Sequence, residues 1–343
     1  MRFSENGTCS SHGLKPKLKR RLSILLALIA VATIVLNIIA YRQAYALLNF
    51  ARADAPKDTI EKLTPAQKAR AVLWGVILAR PESKLSPDSL GSAARRLTIP
   101  GTNGIKLGAW YCPGADTNSL VILFHGYAAD KTGLLPVAKA FLEMGYSVLL
   151  VDFRGSGESS ESYTTVGYLE AGDVTAAVGY ARDNFRPSRT ILFGSSMGAV
   201  AILRAVSKYD VRPDAIIIES VFDRMLTTVQ NRFKKMGVPS FPSAQLLLFW
   251  GGQQAGFNAF KHNPLDYTAD VRCPILFLHG SNDTRAKPDE ARRVFAAVSA
   301  PKQFHVFNGL GHESAAVRYP LQWKPIIREF LTHTARIPPP VSE

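Results

Sequence analysis

Gly194-Ser195-Ser196-Met197-Gly198 places a serine between two glycines in the spacing G-x-S-x-G. A serine hydroxyl is a weak nucleophile at neutral pH. It attacks a carbonyl only when a base takes its proton and a carboxylate orients that base. The neighbourhood gives the spacing its meaning. Thr190-Ile191-Leu192-Phe193 before it reads as a buried strand, and Ala199-Val200-Ala201-Ile202-Leu203-Arg204 after it reads as a helix. A serine on the sharp turn between the two is held in a strained backbone, and the small flanking residues let strand and helix approach. The helix start also presents free N–H groups where negative charge would develop. An ordinary glycine-rich turn has the same composition, so the serine has to find its partners elsewhere in the chain.

Two later segments offer them. The apolar stretch 275–278 is followed by His279-Gly280-Ser281-Asn282-Asp283, and 304–307 is followed by Asn308-Gly309-Leu310-Gly311-His312. Both are turn-rich and leave the carboxyl end of a strand, where ligands collect in open α/β sheets. Ser196, Asp283 and His312 follow the chain order Ser…Asp…His. Glu219, at the end of the strand 216–218, is the rival carboxylate. His305 is the rival base but lies inside a strand. His125 and His279 precede glycines at strand ends and read as structural, and Ser195 is out of register with the two glycines.

These residues need a scaffold. Strands are expected at 95–99, 105–111, 120–124, 147–151, 190–193, 215–218, 275–278 and 304–307, with helices at 135–144, 168–184 and after 199. Alternating strands and helices imply a mostly parallel sheet covered on both faces, and the turn 100–104 implies an antiparallel hairpin at one edge. The domain is expected over 94–335. Within it, 223–270 breaks the alternation and carries the apolar run Leu246-Leu247-Leu248-Phe249-Trp250. It reads as a helical cap insertion or as an irregular crossover packed into the core.

The N-terminus has a different design. Residues 22–41 carry no charge and are long enough to span a bilayer as a helix. A basic cluster, Lys15, Lys17, Lys19, Arg20 and Arg21, precedes them. That asymmetry puts the tail 1–21 in the cytoplasm and the rest of the chain on the periplasmic or extracytoplasmic side of the cell membrane. The alternative is a cleaved signal peptide, because Ala44-Tyr45-Ala46 fits the A-x-A processing pattern. Residues 42–93 read as a connecting region, with a helix start at Thr64-Pro65. Asn282-Asp283-Thr284 is a glycosylation acceptor pattern; a glycan there would obstruct the site, which favours a bacterial periplasm.

Composition narrows the function classes. The 343 residues carry a formal net charge of +14. A notable share of the excess sits in the N-terminal tail, and no nucleic-acid-binding signature accompanies it, so no nucleic-acid partner is expected. Cys9, Cys112 and Cys273 lack metal-ligand spacing; a Cys112–Cys273 pair is the one disulfide considered. Gly155-Ser156-Gly157 has Ser160 where a dinucleotide loop would carry its third glycine, so no NAD, no metal and no other cofactor are expected.

From about Arg95 to Leu331 the chain resembles an α/β-hydrolase-fold serine hydrolase. The matching stretches beyond the G-x-S-x-G are Phe124-His125-Gly126-Tyr127, Asp152-Phe153-Arg154-Gly155-Ser156-Gly157-Glu158-Ser159, Leu278-His279-Gly280-Ser281-Asn282-Asp283 and Gly309-Leu310-Gly311-His312. The pattern is nearest the branch holding membrane-anchored lipid and thioester hydrolases and serine-aminopeptidase-like relatives. The resemblance implies Ser196 as nucleophile, His312 as general base and then acid, and Asp283 as its orienting partner. It implies an oxyanion hole from the backbone N–H groups of Tyr127 and Met197. The implied substrate is a small-molecule or lipid acyl ester or thioester. An aminopeptidase-like amide hydrolase, or a silent scaffold that binds protein through the cap, stands as the alternative.

Overall fold

The computed structural model describes residues 16–55, 64, 70 and 73–334. Helix α1 (Pro16–Leu48) comes first. The domain then opens with β1 (Arg95–Pro100), β2 (Lys106–Cys112) and β3 (Asp116–Phe124), followed by α2 (Leu135–Glu143) and β4 (Tyr146–Val151). Helix α3 (Glu170–Asn184), β5 (Arg189–Ser195), α4 (Met197–Tyr209) and β6 (Ala215–Glu219) continue the alternation. Two helices, α5 (Met225–Lys235) and α6 (Ser243–Ala255), interrupt it. Strand β7 (Ile275–Gly280), α7 (Pro288–Ala297), β8 (Lys302–Phe307), α8 (Ala315–Arg318) and α9 (Pro320–Thr334) complete the domain.

The eight strands form one sheet in the order β1-β2-β4-β3-β5-β6-β7-β8. The β1–β2 and β2–β4 pairs are antiparallel and the remaining pairs are parallel, so the antiparallel edge expected from the opening hairpin is present. The central strands are apolar without alternation because both faces are covered. Leu120, Ile122 and Phe124 of β3 pack with α3, α4 and α7, while Val121 and Leu123 pack with α2 and α9. The parallel register sets the β3, β5, β6 and β7 carboxyl ends side by side, with Phe124 opposite Gly194 and Ser195 opposite Glu219.

The region 223–270 is helical, with α5, α6 and two 3-10 turns between β6 and β7. At the N-terminus α1 does not stop at Tyr41 but runs on to Leu48, so part of the expected connecting region is helix. Residues 49–51 then bridge to Tyr163 and Ala79. The helix start read at 64–70 lies outside the described residues apart from Thr64 and Arg70. Cys112 and Cys273 are both free and buried, so the disulfide considered for them does not form; each thiol sits in apolar core, which burial alone accounts for.

Candidate active site

Ser196 sits between β5 and α4 with φ 51° and ψ −108°, a backbone conformation that L-residues rarely adopt. The turn is tight enough to exclude side chains on its glycines. A methyl on Gly198 would lie 2.3 Å from the carbonyl oxygen of Phe124, and one on Gly194 would lie 2.6 Å from the Ala199 nitrogen. The Ser196 N–H donates to the Glu219 carbonyl at 2.8 Å, which fixes the turn to the neighbouring strand. The side chain is left half-buried at the sheet's carboxyl edge.

The two loops named from the sequence reach it there. His312 Nε2 lies 3.1 Å from Ser196 Oγ, and His312 Nδ1 lies 2.7 Å from Asp283 Oδ2. The other carboxylate oxygen of Asp283 accepts the backbone N–H groups of Arg285 (2.8 Å) and Ala286 (3.0 Å). Burial alone would push this carboxyl up. The His312 hydrogen bond and charge, with the two backbone donors, outweigh burial and hold it below the usual carboxylate value. An ionised Asp283 requires Nδ1 of His312 to carry the proton, which leaves Nε2 free to accept one from Ser196.

The rivals are engaged elsewhere. Glu219 Oε1 accepts the Ala315 N–H at 2.7 Å, and complete burial pushes the carboxyl up to about 7. His305 lies in β8 against the Phe307 ring. His279 Nε2 faces the Ala286 carbonyl at 2.9 Å, and burial keeps the ring's pKa below its usual value. His125 Nδ1 faces the Gly126 carbonyl at 2.8 Å while its Nε2 accepts the Phe153 N–H, so this ring braces the segment after β3.

That segment forms the other wall. A methyl on Gly126 would lie 3.6 Å from Ser196 Cβ, so the backbone of Gly126 and Tyr127 passes directly over the serine. Among the described residues the backbone N–H groups of Tyr127 and Met197 donate to no acceptor. Met197 opens α4, where the helix leaves such groups unpaired. Two N–H groups beside a serine–histidine pair can stabilise an oxyanion formed on a carbonyl that the serine attacks. Among the described residues no three His, Cys, Asp or Glu side chains gather as metal ligands.

Several supports were not legible as site residues. Lys131 is buried; its N–H donates to Asp152 Oδ1 at 2.7 Å and its ammonium pairs with Asp152 Oδ2, while the Glu158 N–H donates to the same Oδ2 at 2.8 Å. Arg154 pairs with buried Asp173 at 2.6 Å. Glu170 accepts from Thr164 Oγ1, Thr165 Oγ1 and the Gly167 N–H beneath Met197. The Tyr127 hydroxyl donates to the Leu47 carbonyl of α1 at 2.6 Å, and the guanidinium of Arg232 on α5 lies 5.2 Å from its ring. Asp152 and Arg154 had a signal in their motif. Lys131, Glu170 and the Leu47 contact had none, because their partners are far along the chain.

The serine aminopeptidase (S33) family model matches residues 115–265. The uncharacterized protein Rv2307c of Mycobacterium tuberculosis is 29% identical over 256 residues, covering 73% of this chain and 83% of that protein. The protein named lysophosphatidylserine lipase ABHD12 of Danio rerio is 24% identical over 208 residues, covering 57% of this chain and 52% of that protein. The crystal structure of the Pyrococcus furiosus esterase Pf2001 superposes with a TM-score of 0.62 at 26% identity, covering 74% of this chain and 96% of that one. The chain is therefore a hydrolase of the α/β-hydrolase fold, and a candidate membrane-spanning helix precedes its catalytic domain.

Proposed function

We propose that the protein is a membrane-anchored serine hydrolase that cleaves carboxylic esters or thioesters through an acyl-enzyme on Ser196. The observation that carries the reading is the continuous relay from Asp283 through His312 to Ser196, at 2.7 and 3.1 Å. Ser196 Oγ attacks the carbonyl carbon as His312 Nε2 takes its proton. The oxyanion draws on the N–H groups of Tyr127 and Met197. His312 then delivers the proton to the leaving alcohol or thiol, and the acyl group stays on Ser196. A water, deprotonated by His312, attacks the acyl carbon and releases the acid.

The packing of α1 supports its retention as an anchor rather than its removal as a signal peptide. Ala40 and Ala44 are buried, and Asn37 accepts a hydrogen bond from Trp250 at 3.1 Å, so processing after Ala46 would strip α6 of its cover. The basic flank before residue 22 supports a cytoplasmic N-terminus and an extracytoplasmic catalytic domain. Residues 223–270 serve as the cap, since Arg232 lies on Tyr127 beside the serine. The relative named as a lysophosphatidylserine lipase supports a lipid acyl ester as substrate.

The first test is labelling of purified full-length protein with a fluorophosphonate, wild type against Ser196→Ala. Labelling confined to the wild type is expected. An unlabelled, folded wild type would sink the reading in favour of a silent scaffold. An ester series from acetyl to octanoyl, run beside aminoacyl anilides, then fixes the class: rates rising with acyl length are expected, and hydrolysis of the anilides alone would make it an aminopeptidase.

A further inference from the structure

Helix α1 is 33 residues long, about 50 Å at 1.5 Å per residue. A hydrocarbon core about 30 Å thick needs about 20 of them. Charges at Lys17, Lys19, Arg20 and Arg21 exclude the first turns, so the span must extend from residue 22 to about Tyr41. The catalytic domain does not hang below this span on a tether but overlaps it. Trp250 of α6 donates to Asn37 Oδ1 at 3.1 Å and meets the Tyr41 ring edge-on at 5.4 Å. Asn37 lies four residues, about 6 Å, inside the end of the span. Gln254 donates to the Tyr41 carbonyl at 2.9 Å.

The pairs 37–250 and 41–254 step by four residues on both helices, so α1 and α6 run in the same direction. Side chains of a helix tilt toward its N-terminus, which lets Trp250 reach back to Asn37 in that arrangement. The N-terminal half of α6 therefore points from Trp250 toward the uncharged part of α1, whose residues 22–36 are exposed. The segment before α6 exposes Met236, Val238 and Phe241, the last at 75%, and α6 itself exposes Phe249. Lys234 and Lys235, both exposed, flank that segment.

We propose that this end of the insertion is a membrane-docking surface. Met236, Val238, Phe241 and Phe249 enter the headgroup–acyl boundary of the leaflet around α1, and Lys234 and Lys235 meet anionic lipid phosphates. Apolar faces of interfacial elements sink about 5–10 Å into that boundary, and Asn37, the partner of Trp250, stands about 6 Å inside the end of the span. Tryptophan and tyrosine settle at the same level. The consequence for substrate rests on the esterase reading above: Arg232 of α5 and Leu47 of α1 both touch Tyr127 beside Ser196, so a site walled by these elements takes an acyl ester from the leaflet itself.

Full-length protein carrying Cys9→Ser is reconstituted in nanodiscs of phosphatidylcholine with about a third phosphatidylglycerol. A nitrobenzoxadiazole label is placed at Phe241→Cys or Phe249→Cys, with Arg182→Cys at the far end of α3 as reference. Lipids spin-labelled near the headgroup should quench the label at 241 and 249 at least about threefold more than at 182, as expected for a group seated in the interface. Equal quenching at all three positions overturns the docking surface. Phe241→Ser/Phe249→Ser should slow hydrolysis of a bilayer-embedded long-chain ester about tenfold, the order expected when large apolar groups return to water, and leave a soluble butyryl ester unaffected. Equal loss on both esters overturns the delivery route. If neither ester is hydrolysed, the esterase reading fails and the quenching alone decides the docking.

Discussion

Replacing Asp283 by asparagine tests the site through a single proton. Oδ1 of Asp283 receives the N–H groups of Arg285 and Ala286, at 2.8 and 3.0 Å, and only an oxygen can occupy that place. The asparagine amide must therefore turn its NH2 toward His312, where Oδ2 now stands 2.7 Å from Nδ1. A donor there forces Nδ1 to accept, so the ring proton moves to Nε2, the atom 3.1 Å from Ser196 Oγ. A protonated Nε2 cannot take the serine proton. Shape, packing and the oxyanion donors are unchanged, so the loss is one of tautomer alone, about 10⁴ in kcat/KM. The assay is the second-order rate of fluorophosphonate labelling, run beside p-nitrophenyl butyrate hydrolysis and thermal unfolding. Glu219→Gln is the paired control, because Glu219 bonds Ala315 rather than His312. Near-normal labelling in Asp283→Asn together with its loss in Glu219→Gln would refute the assignment and move the carboxylate to the end of β6.

Three further outcomes are expected. Gly198→Ala should lower stability by about 3 kcal/mol in thermal unfolding, since its methyl meets the Phe124 carbonyl at 2.3 Å with no flexible atom to yield. Tyr127→Phe should lower stability by about 1 kcal/mol through the lost bond to Leu47 yet keep fluorophosphonate labelling, because the proposed oxyanion donor is the backbone N–H; abolished labelling would mean the hydroxyl acts in the chemistry. Glu219 is raised from 4.5 to about 7 in the folded chain. Between those values the native state holds a proton the unfolded chain has released, so stability falls as pH rises through that window. The fall is about 3 kcal/mol for this group. Denaturant titrations from pH 4 to 8 should show the slope reduced in Glu219→Gln, with the part due to Glu290, also raised to about 7, remaining. An unchanged slope would refute the account.

The link from α1 to the site makes the end of this helix part of the catalytic domain's framework. Leu47 and Leu48 hold Tyr127 and Thr164 through their carbonyls, so the last turn of the helix is part of the wall around Ser196. A soluble form that begins after this turn would lose those acceptors. Its ester hydrolysis would then report on a distorted site rather than on the enzyme.

Much of this protein was decided locally and could be read from the chain. Gly194 and Gly198 around Ser196 mark a turn that only glycine permits, because the clashes come from the adjoining strand and helix. Unbroken apolar runs mark strands buried on both faces, and the length of 22–41 marks a candidate span. The loops ending at Asp283 and His312 were legible because strand order dictates where they arrive. Other decisions depended on where distant parts meet. Glu219 ends β6, next to the elbow strand, and Asp283 follows β7, one strand further; only the path of the loop from Gly309 to Ala315 gives the Ala315 N–H to the first and His312 to the second. The burial of Lys131, the seat of Trp250 on Asn37 and the reach of Tyr127 to Leu47 join residues up to 213 positions apart. Sequence periodicity records which face of an element is apolar, whereas the choice of partner for that face is made only when the chain packs.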